Sequence, residues 1–196
     1  MLNKNIDQLV NILMENKKEQ DIDREIVIFG LYLAMEIGLN IATAMILGKL
    51  FGMMIETVIF LFSFSAIRSY AGGYHCKNVR HCYFFSSGFV VIALLIIRYI
   101  PSNCIIHSNT IIIIISTVVL LKFAPLESPN KPLDETEWYI YRKRALINLA
   151  IECLLVFIMI KIQLYNISIA ISLGIALSGL SLILDVFHNI RVSSCE

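Results

Sequence analysis

Six apolar stretches, each 17 to 23 residues long, constrain this chain more than any other feature of it. They run Ile26–Gly48, Leu50–Ile67, Tyr83–Ile100, Ser108–Ala124, Ala145–Ile162 and Ile167–Phe187. A helix of about 20 apolar residues crosses the hydrocarbon core of a bilayer. The stretches hold only seven of the 31 charged residues: Glu36, Glu56, Arg98, Lys122, Glu152, Lys161 and Asp185. A bilayer imposes such a partition, because an ionised side chain at membrane depth is costly. The mean hydropathy of +0.76 agrees, and argues against a disordered chain, a coiled coil or a nucleic-acid binder. The expected fold is an all-α integral membrane protein with six transmembrane helices. These would use most of the 196 residues, so any chemistry must sit on the helices or in their short loops.

Residues 1–25 are charged throughout and lack the early apolar core of a secretory signal. Ile6, Leu9, Val10, Leu13 and Met14 follow helical spacing, which predicts an amphipathic helix on the membrane surface. With the N-terminus in the cytoplasm, thirteen of the sixteen Lys and Arg lie inside, and only Lys49, Arg98 and Lys161 outside. Excess positive charge marks the cytoplasmic side, so both termini and the loops 68–82 and 125–144 are expected there. The expected organisation is a surface helix 1–25, a six-span domain 26–187 and a cytoplasmic tail 188–196. The residue pattern carries neither an internal repeat nor the inverted-repeat signature of a transporter.

The loop between the second and third stretches concentrates the reactive side chains: Arg68-Ser-Tyr-Ala-Gly-Gly-Tyr-His75-Cys76-Lys-Asn-Val-Arg-His81-Cys82. Gly72 and Gly73 let the backbone turn sharply. Cys82 stands where the third helix begins, and a helix N-terminus with basic neighbours favours a thiolate. His75 is the candidate base and later acid. The two are seven residues apart, about 10 Å along a straight helix, so they meet only if 76–81 folds back. Cys76 competes for the nucleophile role, and the helix-start position favours Cys82. Two His-Cys dipeptides could suggest zinc, but adjacent residues rarely ligate one ion together. HExxH is absent, and the five cysteines include no CxxC pair. The plain alternative is a set of ordinary juxtamembrane residues.

The run Arg68…Ala71-Gly72-Gly73-Tyr74-His75…Cys82 closely resembles the signature of the accessory gene regulator B family, integral-membrane cysteine endopeptidases of Gram-positive bacteria. The resemblance extends to chain length, hydropathy and the stretch Ala124-Pro125…Asn130-Lys131-Pro132. It implies that His75 and Cys82 are the catalytic pair, supported by Arg68 and Gly73, and it settles the nucleophile question for Cys82. It further implies cleavage of a short precursor peptide of the AgrD type near its C-terminus, through a thioester on the enzyme. An internal Cys or Ser of the peptide would then close a thiolactone or lactone ring, a step toward a quorum-sensing pheromone. The partners so implied are that peptide and membrane lipid, with a second copy of the chain left open and no nucleic acid. No metal or organic cofactor is implied. The rival class is a non-enzymatic transporter or peptide-exporter subunit.

Other residues carry weaker expectations. Arg142, Lys143 and Arg144 precede the fifth stretch, where positive charge sets topology and could also attract an acidic peptide tail. Glu36, Glu56 and Glu152 are expected to make helix-to-helix hydrogen bonds, and Glu152 is a candidate to orient His75, with Asn78 and Glu127 on the same footing. Gly174 and Gly179 are expected to permit close helix packing. His107 and His188 are assigned no role.

Overall fold

The computed structural model describes residues 24–72, 79–126 and 134–193. These form six helices and, among the described residues, no strand: α1 (Arg24–Phe51), α2 (Met54–Ala71), α3 (Val79–Tyr99), α4 (Ser102–Phe123), α5 (Glu135–Lys161) and α6 (Tyr165–Ser193). The all-α architecture matches the expectation, while the surface helix expected over 1–25 lies almost wholly outside the described residues. Five helices are long and apolar enough to cross a membrane; α5 is the sixth, its apolar part interrupted by Glu152.

The helices extend past the apolar stretches, most at α4 and α5. α4 starts at Ser102, six residues before the apolar stretch, and α5 at Glu135, ten residues before. A helix continues wherever its backbone hydrogen bonds continue; hydropathy reports only the part that lipid would wet. The boundaries also explain most charges within the stretches. Glu56 falls in the first turn of α2, and Arg98, Lys122 and Lys161 in the last turns of α3, α4 and α5. Each sign there complements the helix dipole. Deeper inside remain Glu36 and Glu152, with Asp185 near the end of the apolar part of α6.

The chain divides into two compact units, Met1–Thr43 and Ala44–Glu196. In the described part of the first, the Asn40 side-chain amide donates to the Glu36 carbonyl at 3.1 Å, and Ile37, Leu39 and Ile41 are exposed. The second unit contains the packed core. Its hub is α6, with 61% of its apolar stretch buried against at most 28% in the other four spans. α6 packs on α2, α3, α4 and α5. Its inward residues alternate bulk with small polar groups: Ser168, Ile169, Ser172, Ile175, Ser178 and Leu182 are all buried. Helices in lipid gain little from burying apolar surface and associate through close packing and hydrogen bonds. Such bonds cross the bundle, among them Asn109 to the Ser168 hydroxyl at 3.0 Å, Asn148 to the Ala66 carbonyl at 3.0 Å, and Ser178 to the Phe64 carbonyl at 3.2 Å. The outward faces carry exposed Phe62, Ile92, Ile111, Ile114, Leu154 and Phe157. Such apolar surface is natural to a lipid-facing wall.

Candidate active site

α2 delivers the first residues of the candidate loop. Arg68 lies in its last turn, half-buried, with the guanidinium 5.4 Å from the centre of the Phe64 ring. The helix stops at Ala71, and the Gly72 N–H donates to the Arg68 carbonyl at 3.1 Å. Gly72 has φ 77° and ψ −156°, a region that essentially only glycine enters. A Cβ at this position would stand 2.7 Å from the Leu126 carbonyl oxygen. The Leu126 N–H in turn donates to the Ala71 carbonyl at 3.0 Å. Gly72 is therefore required twice over, by its dihedrals and by a backbone pressed against it. The segment following α4, Ala124-Pro125-Leu126, runs alongside the end of α2.

α3 delivers the other end. Val79, Arg80 and His81 form its opening and Cys82 is its fourth residue, half-buried and outside any disulfide. The first-turn N–H groups have no partner within a helix and carry the positive end of its dipole, an environment suited to negative charge. Aromatic rings follow: Tyr83 and Phe84 meet edge to face at 5.7 Å, and Phe85 lies 6.0 Å from Phe89. Gly73, His75, Cys76 and Asn78 lie outside the described residues, as does Glu127.

The basic trio enters beside the same end of the bundle. Arg142 donates to the Leu121 carbonyl at 3.1 Å, one of the last four carbonyls of α4, and its guanidinium sits 4.9 Å from the Trp138 ring centre. Arg144 lies 5.6 Å from the ring centre of Tyr70, which is paired with Tyr141 at 6.1 Å. Lys143 is exposed. Arg142 thus ties α5 to the end of α4, while Arg144, beside Tyr70, is exposed like Lys143. Glu152 lies deeper. It hydrogen-bonds with Ser63 of α2, nine residues before Gly72, which is about 13 Å of helix rise.

The Gly-Gly break, the helix-start cysteine and Arg68 were all visible as residue types. The stitch between Leu126 and Ala71 was not, since it is a backbone contact between positions far apart in sequence. The Ala124-Pro125 pair was its one local sign.

The family model described as "Accessory gene regulator B" matches residues 6–182. An AgrB-like protein of Clostridium perfringens strain SM101 is 25% identical over 183 residues, covering 89% of this chain and 84% of that protein. AgrB-like protein 2 of Clostridium perfringens strain 13 is 28% identical over 138 residues, 66% of this chain and 63% of that protein. No solved structure matches.

Proposed function

Because the chain belongs to the accessory gene regulator B family, we propose that it is a membrane cysteine endopeptidase that cleaves and cyclises a pheromone precursor. Family membership ties it to accessory gene regulator quorum sensing, and its apolar helices to a multi-pass place in the membrane. The finer reading rests on one observation above all. Cys82 stands in the first turn of α3, ten residues after a glycine held in a conformation closed to other residues.

In this reading His75 takes the Cys82 thiol proton and the thiolate attacks the scissile carbonyl carbon. The C–N bond breaks and the departing amine takes the proton back from His75. The N-terminal part of the peptide stays on Cys82 as a thioester. The peptide's internal Cys or Ser then gives its proton to His75 and attacks the thioester carbonyl. The C–S bond breaks, the ring closes, and Cys82 recovers its proton. An internal attacker enjoys a high effective concentration, and exclusion of water keeps hydrolysis from competing. Neither step calls for a metal or organic cofactor. The catalytic loop and both termini face the cytoplasm. Of the basic trio, the exposed Lys143 and Arg144 are the residues placed to meet an acidic tail, Arg142 being bonded to α4.

The test is the intact mass of the protein after incubation with a precursor whose internal nucleophile is replaced by Ala. Ring closure is then blocked, and an adduct on Cys82 should accumulate that hydroxylamine releases. Cys82→Ala should neither cleave nor trap the peptide, while Cys76→Ala should still process it. An adduct on Cys76, or cleavage with no adduct, would overturn the assignment. Export of the peptide without any covalent step would support the transporter class instead. In the same assay Lys143→Ala should weaken precursor binding, less so at high salt.

A further inference from the structure

Among the described residues, Glu152 is the most deeply enclosed charged side chain of the second unit, only 6% exposed. Its Oε2 is hydrogen-bonded with the Ser63 hydroxyl, and Ser63 Oγ also lies 3.0 Å from the Ile171 carbonyl of α6. Its Oε1 is buried and has no partner among the described residues. The three helices meet this tightly because position 174 has no side chain. A Cβ at Gly174 would stand 2.5 Å from Ser63 Oγ and 2.9 Å from the Phe64 backbone nitrogen.

The charged groups on the surrounding helices are engaged elsewhere or far along their axes. On α5, Arg144 lies eight residues before Glu152, against Tyr70, and Lys161 nine residues after it, against Phe157. On α2, Glu56 is in the first turn and Arg68, five residues beyond Ser63, lies over Phe64. On α4, Lys122 stacks on Phe123, and α6 carries no charge between Tyr165 and Leu184. The other titratable neighbour is Cys153, adjacent on α5. An ionised Glu152 would have one hydroxyl bond to offset its removal from water, and one oxygen facing no donor among the described residues. The neutral acid avoids that penalty. A protonated carboxyl would donate to Ser63 Oγ and leave the serine hydrogen for the Ile171 carbonyl, so that one hydroxyl need not donate to both.

We propose that the junction of Glu152, Ser63 and Ile171 is a proton-binding site in the membrane interior, occupied in the folded protein. The neutral carboxyl ties α5 to α2 and, through Ser63, to α6. The neutral carboxyl thereby fixes the helix that carries Arg68 and Gly72, whatever that helix serves.

The test is the infrared difference spectrum of the full chain in lipid bilayers, wild type minus Glu152→Gln, at neutral pH in sodium, potassium or choline buffer. The expected result is the carbonyl stretch of a protonated carboxylic acid, absent in the variant and the same in all three buffers. Loss of carboxylate bands instead would overturn the proposal, and a sodium-dependent shift of those bands would mark a monovalent-cation site in its place. Thermal denaturation in detergent, followed as loss of the folded fraction, supplies the second reading. Glu152→Gln keeps a hydrogen-bonding group without the charge, so its half-life should stay within about twofold of wild type, while Glu152→Ala and Ser63→Ala should lose about tenfold. A Gln variant as labile as the Ala variant would refute the neutral lock.

Discussion

A β-carbon is the smallest change a protein can make to a glycine, and at Gly72 it has nowhere to go. The positive φ alone costs an ordinary residue about 1–3 kcal/mol. The Leu126 carbonyl, 2.7 Å from where the carbon would sit, is backbone and cannot rotate aside. Gly72→Ala should therefore reduce precursor cleavage at least about tenfold while leaving membrane insertion intact. Trimming the Leu126 side chain should not rescue it, because the clash is with the main chain. Western blotting of membrane fractions beside a cleavage assay checks both halves, and full processing by Gly72→Ala would show that the turn tolerates a side chain. The doublet Gly72-Gly73 announced a turn in the sequence. What it turned against could not be read there, because a peptide carbonyl arriving from residue 126 has no residue-type signature.

Among the helices, the hydropathy pattern located all six, but it misjudged where they end. Polar Ser102, Asn103 and His107 lower the local hydropathy, so the apolar stretch was drawn only from Ser108. The helix in fact begins at Ser102, and Asn109, already inside the expected stretch, is buried and bonded to Ser168 of α6. Polar residues in the first turns of a helix look like a boundary to any measure that averages polarity. The two glycines of α6 illustrate the complementary lesson. Both were expected to allow close packing, and the geometry separates them. At Gly174 a Cβ would reach 2.5 Å from Ser63 Oγ, but at Gly179 it would meet its nearest neighbours, on Ser116, at an ordinary 3.7 Å. Gly174→Ala should lower stability by about 1–3 kcal/mol, as overpacking does, and Gly179→Ala by less than about 0.5 kcal/mol. Thermal unfolding in detergent measures the difference, and equal effects would mean that α2 and α6 can slide apart without cost.

For the whole molecule, the alternation of six helices puts the C-terminal ends of α2 and α4 and the N-terminal ends of α3 and α5 on one face. Arg68, Gly72, Cys82, the basic trio and the Leu126 stitch therefore share that face, although they are scattered over nearly eighty positions of sequence. By the excess of Lys and Arg, this face is expected to be the cytoplasmic one. Single cysteines at Lys77 and Lys131 in a cysteine-free background should react only with membrane-permeant reagents, and one at Ser102 with impermeant ones. An impermeant label at Lys77 would invert the molecule and move the chemistry to the opposite side.

The central position of α6 also has a consequence for synthesis. The ribosome delivers α2, α3, α4 and α5 before the helix against which all four pack. Until then the Asn109 side chain, buried in the finished bundle, waits in the bilayer without its partner Ser168. The bonds that join α5 to α2 and α4 can form earlier, whereas every contact of α6 comes last. Quality-control machinery that senses unpaired polar groups in lipid has a defined interval in which to act on this protein, and that interval closes when residues beyond Tyr165 enter the membrane.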